Sequence, residues 1–234
     1  MSPTPRDPAT IERRSQPAYP IHEAARYVKV PVATLRSWVF GREYEAAGTT
    51  RRFPSIVTPA SRRPPMLSFW NLVEAHVLRA LRTDHGVPVK AVRTAVAYAE
   101  KYLGVERLLL SKELQAGAGS LFLERYGALI ELSASGQIAM RQVFEAHLKR
   151  VVWDSGQFPI RLHPFIGPAG GSADQPIAID PAIAFGRPIV VRRSITTAVI
   201  AERIDLGESV EALMQDYSLD RKDIEQAILY ERAA

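Results

Sequence analysis

The chain has 234 residues, 47% of them apolar and 24% charged, the balance of an ordinary globular protein rather than a disordered or fibrous one. It contains no Cys, which excludes disulfides and thiolate chemistry, and no run approaching 18 apolar residues, so a membrane span is not expected. The start, Met1 to Ala18, lacks the apolar core of a secretory signal, and a cytoplasmic protein is expected. Charge is unevenly placed: residues 1–110 carry 17 Lys or Arg against 9 Asp or Glu (net +8), and residues 111–234 carry 13 against 16 (net −3). Such asymmetry suits a nucleic-acid-facing part joined to one that faces something else.

Residues 1–18 mix Pro, Arg, Ser and Thr without periodicity and read as a flexible arm. Order is expected from Tyr19. Ile21 to Val28 carries a short helical pattern, Pro31 sits where a turn leads onward, and Val32 to Phe40 forms a second helix stopped by Gly41. Residues 42–65, with Gly48, Pro54, Pro59, Pro64 and Pro65 among β-prone pieces, predict a long loop or a small hairpin. From Ser68 a helical stripe through Leu72, Val73, Ala75, His76, Leu78 and Leu81 ends before Gly86, and Pro88 opens another through Leu103. Residues 19–104 thus form a first domain.

Residues 105–163 predict a connecting or dimerising region. The runs Val105 to Ser111, Gly119 to Glu124 and Ala128 to Leu132 are β-capable, and a helix with Ile138, Val143, Phe144, His147, Leu148 and Val151 on one face follows. Residues 164–176, centred on Gly170-Gly171-Ser172, are the linker candidate. The last part, 177–234, opens with the extended pieces Ile177 to Ile179 and Pro188 to Val191. Helices over Thr197 to Asp205, Ser209 to Tyr217 and Arg221 to Arg232 follow, with Ser209 and Asp220 as caps and Asp223 as a capping-box partner. Leu213, Tyr217, Ile224, Ile228 and Leu229 are expected to form its core. The fold class is mainly α with small β elements.

A tight pair of helices in the basic half is the geometry that places a second helix in a DNA major groove about 12 Å wide. On Val32 to Gly41 the exposed donors are Thr34, Arg36 and Ser37, followed by Arg42, while Leu35 and Val39 face the core as an i, i+4 pair. Trp38 has two readings, packing against the neighbouring elements or a phosphate contact through its indole N–H. Behind this helix Arg42, Arg51, Arg52, Arg62 and Arg63 crowd a loop opposed only by Glu43 and Glu45. A hairpin bearing them would straddle the phosphate backbone or enter the minor groove; the blander reading is a solvated surface.

Tyr19-Pro20-Ile21-His22-Glu23-Ala24-Ala25-Arg26 with Val30-Pro31-Val32-Ala33-Thr34-Leu35-Arg36-Ser37-Trp38 resembles the winged helix-turn-helix of MerR-like regulators, and Leu67 to Leu72 and Gly86 to Arg93 continue the likeness through residue 103. The resemblance implies DNA binding, with Thr34, Arg36 and Trp38 on the DNA side. Lys29 stands where that family has a turn glycine, and Pro64-Pro65 where it has Arg and Tyr wing residues. No effector-domain signature follows.

Ile179-Asp180-Pro181, Gly186-Arg187-Pro188-Ile189-Val190, Gly207 to Leu213, Tyr217 and Asp223 to Tyr230 resemble a small domain of unknown function found in antitoxins of VapBC-type modules. Paired with the N-terminal region, it is similar to VapB-type antitoxins. The resemblance implies a DNA-binding antitoxin that represses its own operon and neutralises a PIN-domain ribonuclease. The alternative is a stand-alone dimeric repressor without a toxin partner. Arg187, Arg192 and Arg193 are the dense basic patch of the acidic half, read as surface charge, as insertion toward an acidic partner pocket such as a toxin's, or as contact with DNA.

The five His, at 22, 76, 85, 147 and 163, show no H-x-x-x-H spacing, and Gly167 to Ser172 lacks the Lys of a phosphate-binding loop. No catalytic residue, metal or cofactor is assigned. A homodimer on double-stranded operator DNA is expected, because one short helix buries too little surface for tight specific binding.

Overall fold

The structure, a computed structural model, describes residues 13–46, 48–83, 107–110, 149–155, 158–164 and 175–233. Strand β1 (Tyr19–Pro20) leads into α1 (Ile21–Tyr27) and α2 (Val32–Phe40). Each helix starts directly after a proline, whose fixed φ and missing N–H suit that place. Between them Lys29 takes the left-handed conformation, φ 54°. Val30 N–H donates to the Ala25 carbonyl at 2.9 Å and Lys29 N–H to that of Arg26 at 3.3 Å, the double closure that usually recruits glycine.

Strands β2 (Arg42–Ala46) and β3 (Thr49–Phe53) form an antiparallel ribbon, and β4 (Ser61–Arg62) with β5 (Pro65–Leu67) a second hairpin whose β5 pairs with β1. The proline-rich stretch 42–65 therefore holds two hairpins rather than one. Helix α3 (Phe69–Thr83) opens on a reciprocal cap: Asn71 N–H donates to Ser68 Oγ at 3.2 Å, and Ser68 N–H to Asn71 Oδ1 at 3.0 Å. Ala24, Leu35, Val39, Leu67, Phe69, Leu72 and Val73 are fully buried in the core that these elements share. Burying a Leu or Phe side chain stabilises by roughly 1.5–3 kcal/mol.

That core extends beyond the first helices. Leu109, Leu110, Val151, Leu162 and Ile179 all join it. Leu108–Leu110 is a 3-10 turn, not the expected strand, because Arg107 (φ 53°) turns the chain back and pairs with Glu74 on α3 at 3.1 Å. Val151 belongs to β6 (Val151–Trp153) rather than to a helix. There its β-branched side chain is buried as the strand pairs with β7 (Pro159–Leu162). The rest of the expected central sheet and helix, the helix after Pro88 and residues 165–174 of the linker lie outside the described residues. At the start, Arg14 is buried and pairs with Asp154 at 2.8 Å, and Ala18 N–H donates to the Leu67 carbonyl at 2.9 Å. The chain is thus anchored before Tyr19, where order was expected to begin.

The last segment folds as β8 (Ile177–Ala178), β9 (Ile189–Val190) and β10 (Ile195–Thr196) in the order β10-β9-β8, then α4 (Thr197–Asp205), α5 (Val210–Tyr217) and α6 (Arg221–Arg232). Its core holds Ile177, Val190, Ile200, Leu213, Leu219, Ile224, Ala227 and Tyr230. Ser209 caps α5 as expected, accepting from Ala212 N–H at 3.1 Å. Asp220 precedes α6 but makes no side-chain cap: its carboxylate accepts from Arg192 at 2.6 Å, and Asp223 lies 3.5 Å from the same guanidinium. A full charge opposite two acids outcompetes the neutral N–H groups of the helix end. Leu229, expected in the core, is 53% exposed, and the buried position on that turn is Tyr230. Among the described residues no helix is long and apolar enough to cross a membrane.

Candidate nucleic-acid interface

Helix α2 presents two faces. Leu35, Trp38 and Val39 are buried, whereas Ala33 and Arg36 are exposed and Thr34 and Ser37 half-buried. Arg36 has no hydrogen bond or ion pair among the described residues and is available to an external acceptor. Trp38 is a correction to the expected interface. At 2% exposure it is among the largest fully buried side chains, and its carbonyl accepts from Ile56 N–H at 2.7 Å and Val57 N–H at 3.1 Å. An indole enclosed this way packs and does not reach a phosphate, so the packing reading stands.

Gly41 sets the direction of the chain after α2. It adopts φ 78°, and a Cβ there would lie 2.3 Å from the Phe53 carbonyl oxygen, so only glycine lets β2 leave the helix while β3 returns so close. Arg52 holds the same corner, donating to the Phe40 carbonyl at 2.9 Å at the open C-terminal end of α2. Its guanidinium is thereby partly engaged within the protein.

Register then sorts the ribbon's charges. Arg42 is opposite Phe53 and Tyr44 opposite Arg51, so these four side chains share one face. Tyr44 and Phe53 stack with ring centroids 4.2 Å apart and planes at 14°, stiffening a ribbon that packs little else. Glu43, opposite Arg52, and Glu45, opposite Thr50, lie on the other face, and Thr50 Oγ1 donates to Glu45 at 2.6 Å. One face therefore carries Arg42 and Arg51 without any acid. The sequence suggested a hairpin here as one of two readings; the register that segregates the charges was not visible in it. Arg62 and Arg63 are exposed at the turn of the second hairpin, separate from this ribbon.

The C-terminal segment touches the helical pair at its turn. Tyr230 Oη donates to the Tyr27 carbonyl at 2.9 Å, Lys29 Nζ donates to the Tyr230 carbonyl and sits 3.9 Å from the centre of its ring, and Arg26 pairs with Glu231 at 2.7 Å. Burial pushes the Lys29 ammonium down to about 8, against the opposing pull of Glu231. Tyr19 Oη donates to the Gly186 carbonyl at 3.2 Å. Sequence reasoning missed this clamp, because nothing local pairs residues 27 and 230.

Of the three arginines expected at a partner surface, all are exposed but their surroundings differ. Arg192 is committed to Asp220 and Asp223, and Arg193 Nε donates to the Ser218 carbonyl at 3.3 Å. Arg187 alone of the three has no polar partner among the described residues. No group of His, Asp and Glu suited to a metal ion occurs among the described residues.

Two stretches match known families. Residues 17–96, the stretch that contains α1 and α2, match the family described as "Putative DNA-binding HTH domain". Residues 177–230 match "Protein of unknown function (DUF433)". Over most of its length the chain is similar to "Putative antitoxin VapB45" of Mycobacterium tuberculosis, 27% identical over 230 residues that cover 91% of this chain and 92% of that one. It is also similar to "Uncharacterized protein Rv2308" of the same organism, 24% identical over 221 residues, covering 91% and 89%. The crystal structure of Rv2018 from Mycobacterium tuberculosis shares the fold, with a TM-score of 0.64 at 21% identity over 91% of this chain and 97% of that one.

Proposed function

We propose that this chain is a DNA-binding antitoxin that represses its own operon as a twofold dimer and neutralises a PIN-domain ribonuclease by direct contact. The observation that carries the DNA half is the outward face of α2 with the uncommitted Arg36, beside a ribbon face holding Arg42 and Arg51 without acids. Arg36, Thr34 and Ser37 face base edges and phosphates, Arg42 and Arg51 track the backbone, and Arg52, Arg62 and Arg63 add to the cationic field. Likeness to a protein named an antitoxin supports the toxin half. Arg187 is its best-placed cation, with Arg192 and Arg193 beside it in sequence. The protein works in the cytoplasm by binding, without a cofactor and without chemistry of its own.

The internal pairing of Arg192 favours the second reading, a dimeric repressor with no toxin partner. Co-expression with the product of the adjacent gene separates the two. A stable complex in which that nuclease no longer cleaves RNA is expected. Separate elution, with RNA cleavage undiminished by added chain, contradicts the antitoxin half and leaves the repressor.

A further inference from the structure

Residues 180–187 form a turn with an unusual conformation. Ala184 (φ 48°), Phe185 (φ 56°) and Gly186 (φ 74°) are three consecutive residues in the left-handed region, two of them carrying a Cβ. Residues with a Cβ rarely take this conformation, and runs of them are not used as ordinary structure. The turn is pinned on both sides. Asp180 accepts from Arg161 at 2.9 Å and from Ala182 N–H at 2.9 Å, and Gly186 is trapped under Tyr19, whose Oη would lie 2.0 Å from any added Cβ. Gly186 N–H and Arg187 N–H close it through the Ile183 and Ala184 carbonyls, at 2.9 and 3.1 Å. What this strained, over-determined turn presents is Phe185, 92% exposed, next to the uncommitted Arg187.

We propose that Phe185 is the anchor of the protein-partner surface, entering an apolar pocket whose rim supplies a carboxylate to Arg187. This deepens the toxin-binding half of the reading above and rests on it. With the backbone already fixed, docking the ring costs only the ordering of its own two torsions, so that most of its apolar burial goes into affinity, as at an interface hot spot. Charge selects the occupant. Within 181–188 the only ionisable side chain is Arg187, which calls for an acidic rim. A DNA duplex is disfavoured because residues 177–233 carry ten Asp or Glu against seven Lys or Arg. A second copy meeting this turn about a twofold axis would bring the two Arg187 side chains together, with like charges opposed.

The test measures the affinity of the full chain for the purified product of the adjacent gene, with Phe185→Ala, Arg187→Ala and, as a control on an exposed apolar side chain of α6, Leu229→Ala. Phe185→Ala is expected to weaken the complex about 30-fold or more and Arg187→Ala to weaken it less, with its effect fading at high salt. Leu229→Ala leaves affinity as it was, and all three keep the melting temperature of the parent. Binding by the parent that Phe185→Ala leaves unchanged, or that Leu229→Ala weakens equally, overturns the anchor while sparing the antitoxin reading. A Phe185→Ala chain that loses DNA affinity or changes its sedimented mass instead assigns the turn to a duplex or to a second copy, and overturns it too. No binding by the parent removes the toxin half and the anchor together.

Discussion

At the scale of single residues, fates follow from which competitor for a side chain is nearest in space. Asp220 stands where a helix cap belongs, yet Arg192 takes its carboxylate. Leu229 is as apolar as a core position requires, yet Tyr230 fills the core, with its ring reaching Lys29 and its hydroxyl Tyr27. Three phenols at this junction are shielded. Burial raises the pKa of Tyr19, Tyr27 and Tyr230 above the usual 10, farthest for Tyr19 and Tyr230. A phenol whose folded pKa lies above its unfolded value contributes stability that is fully present below pH about 10 and is lost as the pH rises beyond it. In an ultraviolet titration these three of the eight tyrosines should therefore ionise late and together with unfolding. Free titration of all eight near pH 10 in a chain that keeps its helices would show the junction to be open.

At the scale of elements, the ribbon makes the clearest physical statement. Its register places Arg42 and Arg51 on one face and both glutamates on the other. Single substitutions Arg42→Ala and Arg51→Ala should each lower the slope of log affinity for DNA against log salt by about 1 and weaken binding to all sequences alike. Glu43→Gln should change neither; an effect as large as that of the arginines would place the opposite face on the DNA. Helices were more legible in the sequence. Val32 to Phe40 and Arg221 to Arg232 coincide with α2 and α6, because a proline or an acidic residue marks each start and a 3.6-residue apolar period fills each body. Strands were harder. β6 and β7 hold only three and four residues, too few to display alternation, and β10 two. Turns set by left-handed non-glycine residues, Lys29, Arg107 and Phe185, left no local mark, since their energetic compensation comes from partners far along the chain. The face of α2 was legible apart from Trp38, whose ambiguity only burial resolves.

At the scale of the whole molecule, two cores lie on either side of one junction. Ile179 bridges them: its backbone bonds Leu162 in both directions, at 3.0 and 2.8 Å, and its side chain packs in the N-terminal core while Ile177 packs in the C-terminal one. Together with the Tyr230 clamp this ties the C-terminal segment to the turn that orients α2. The proposed DNA binding rests on the outward cationic face of that helix. The decisive measurement is footprinting of the DNA upstream of the gene with the parent chain and with Arg36→Ala. A protected stretch with two related half-sites about one helical turn or more apart is expected, lost with Arg36→Ala at equal concentration while the variant keeps its fold. Protection retained by Arg36→Ala, or none from the parent at low salt, would contradict it.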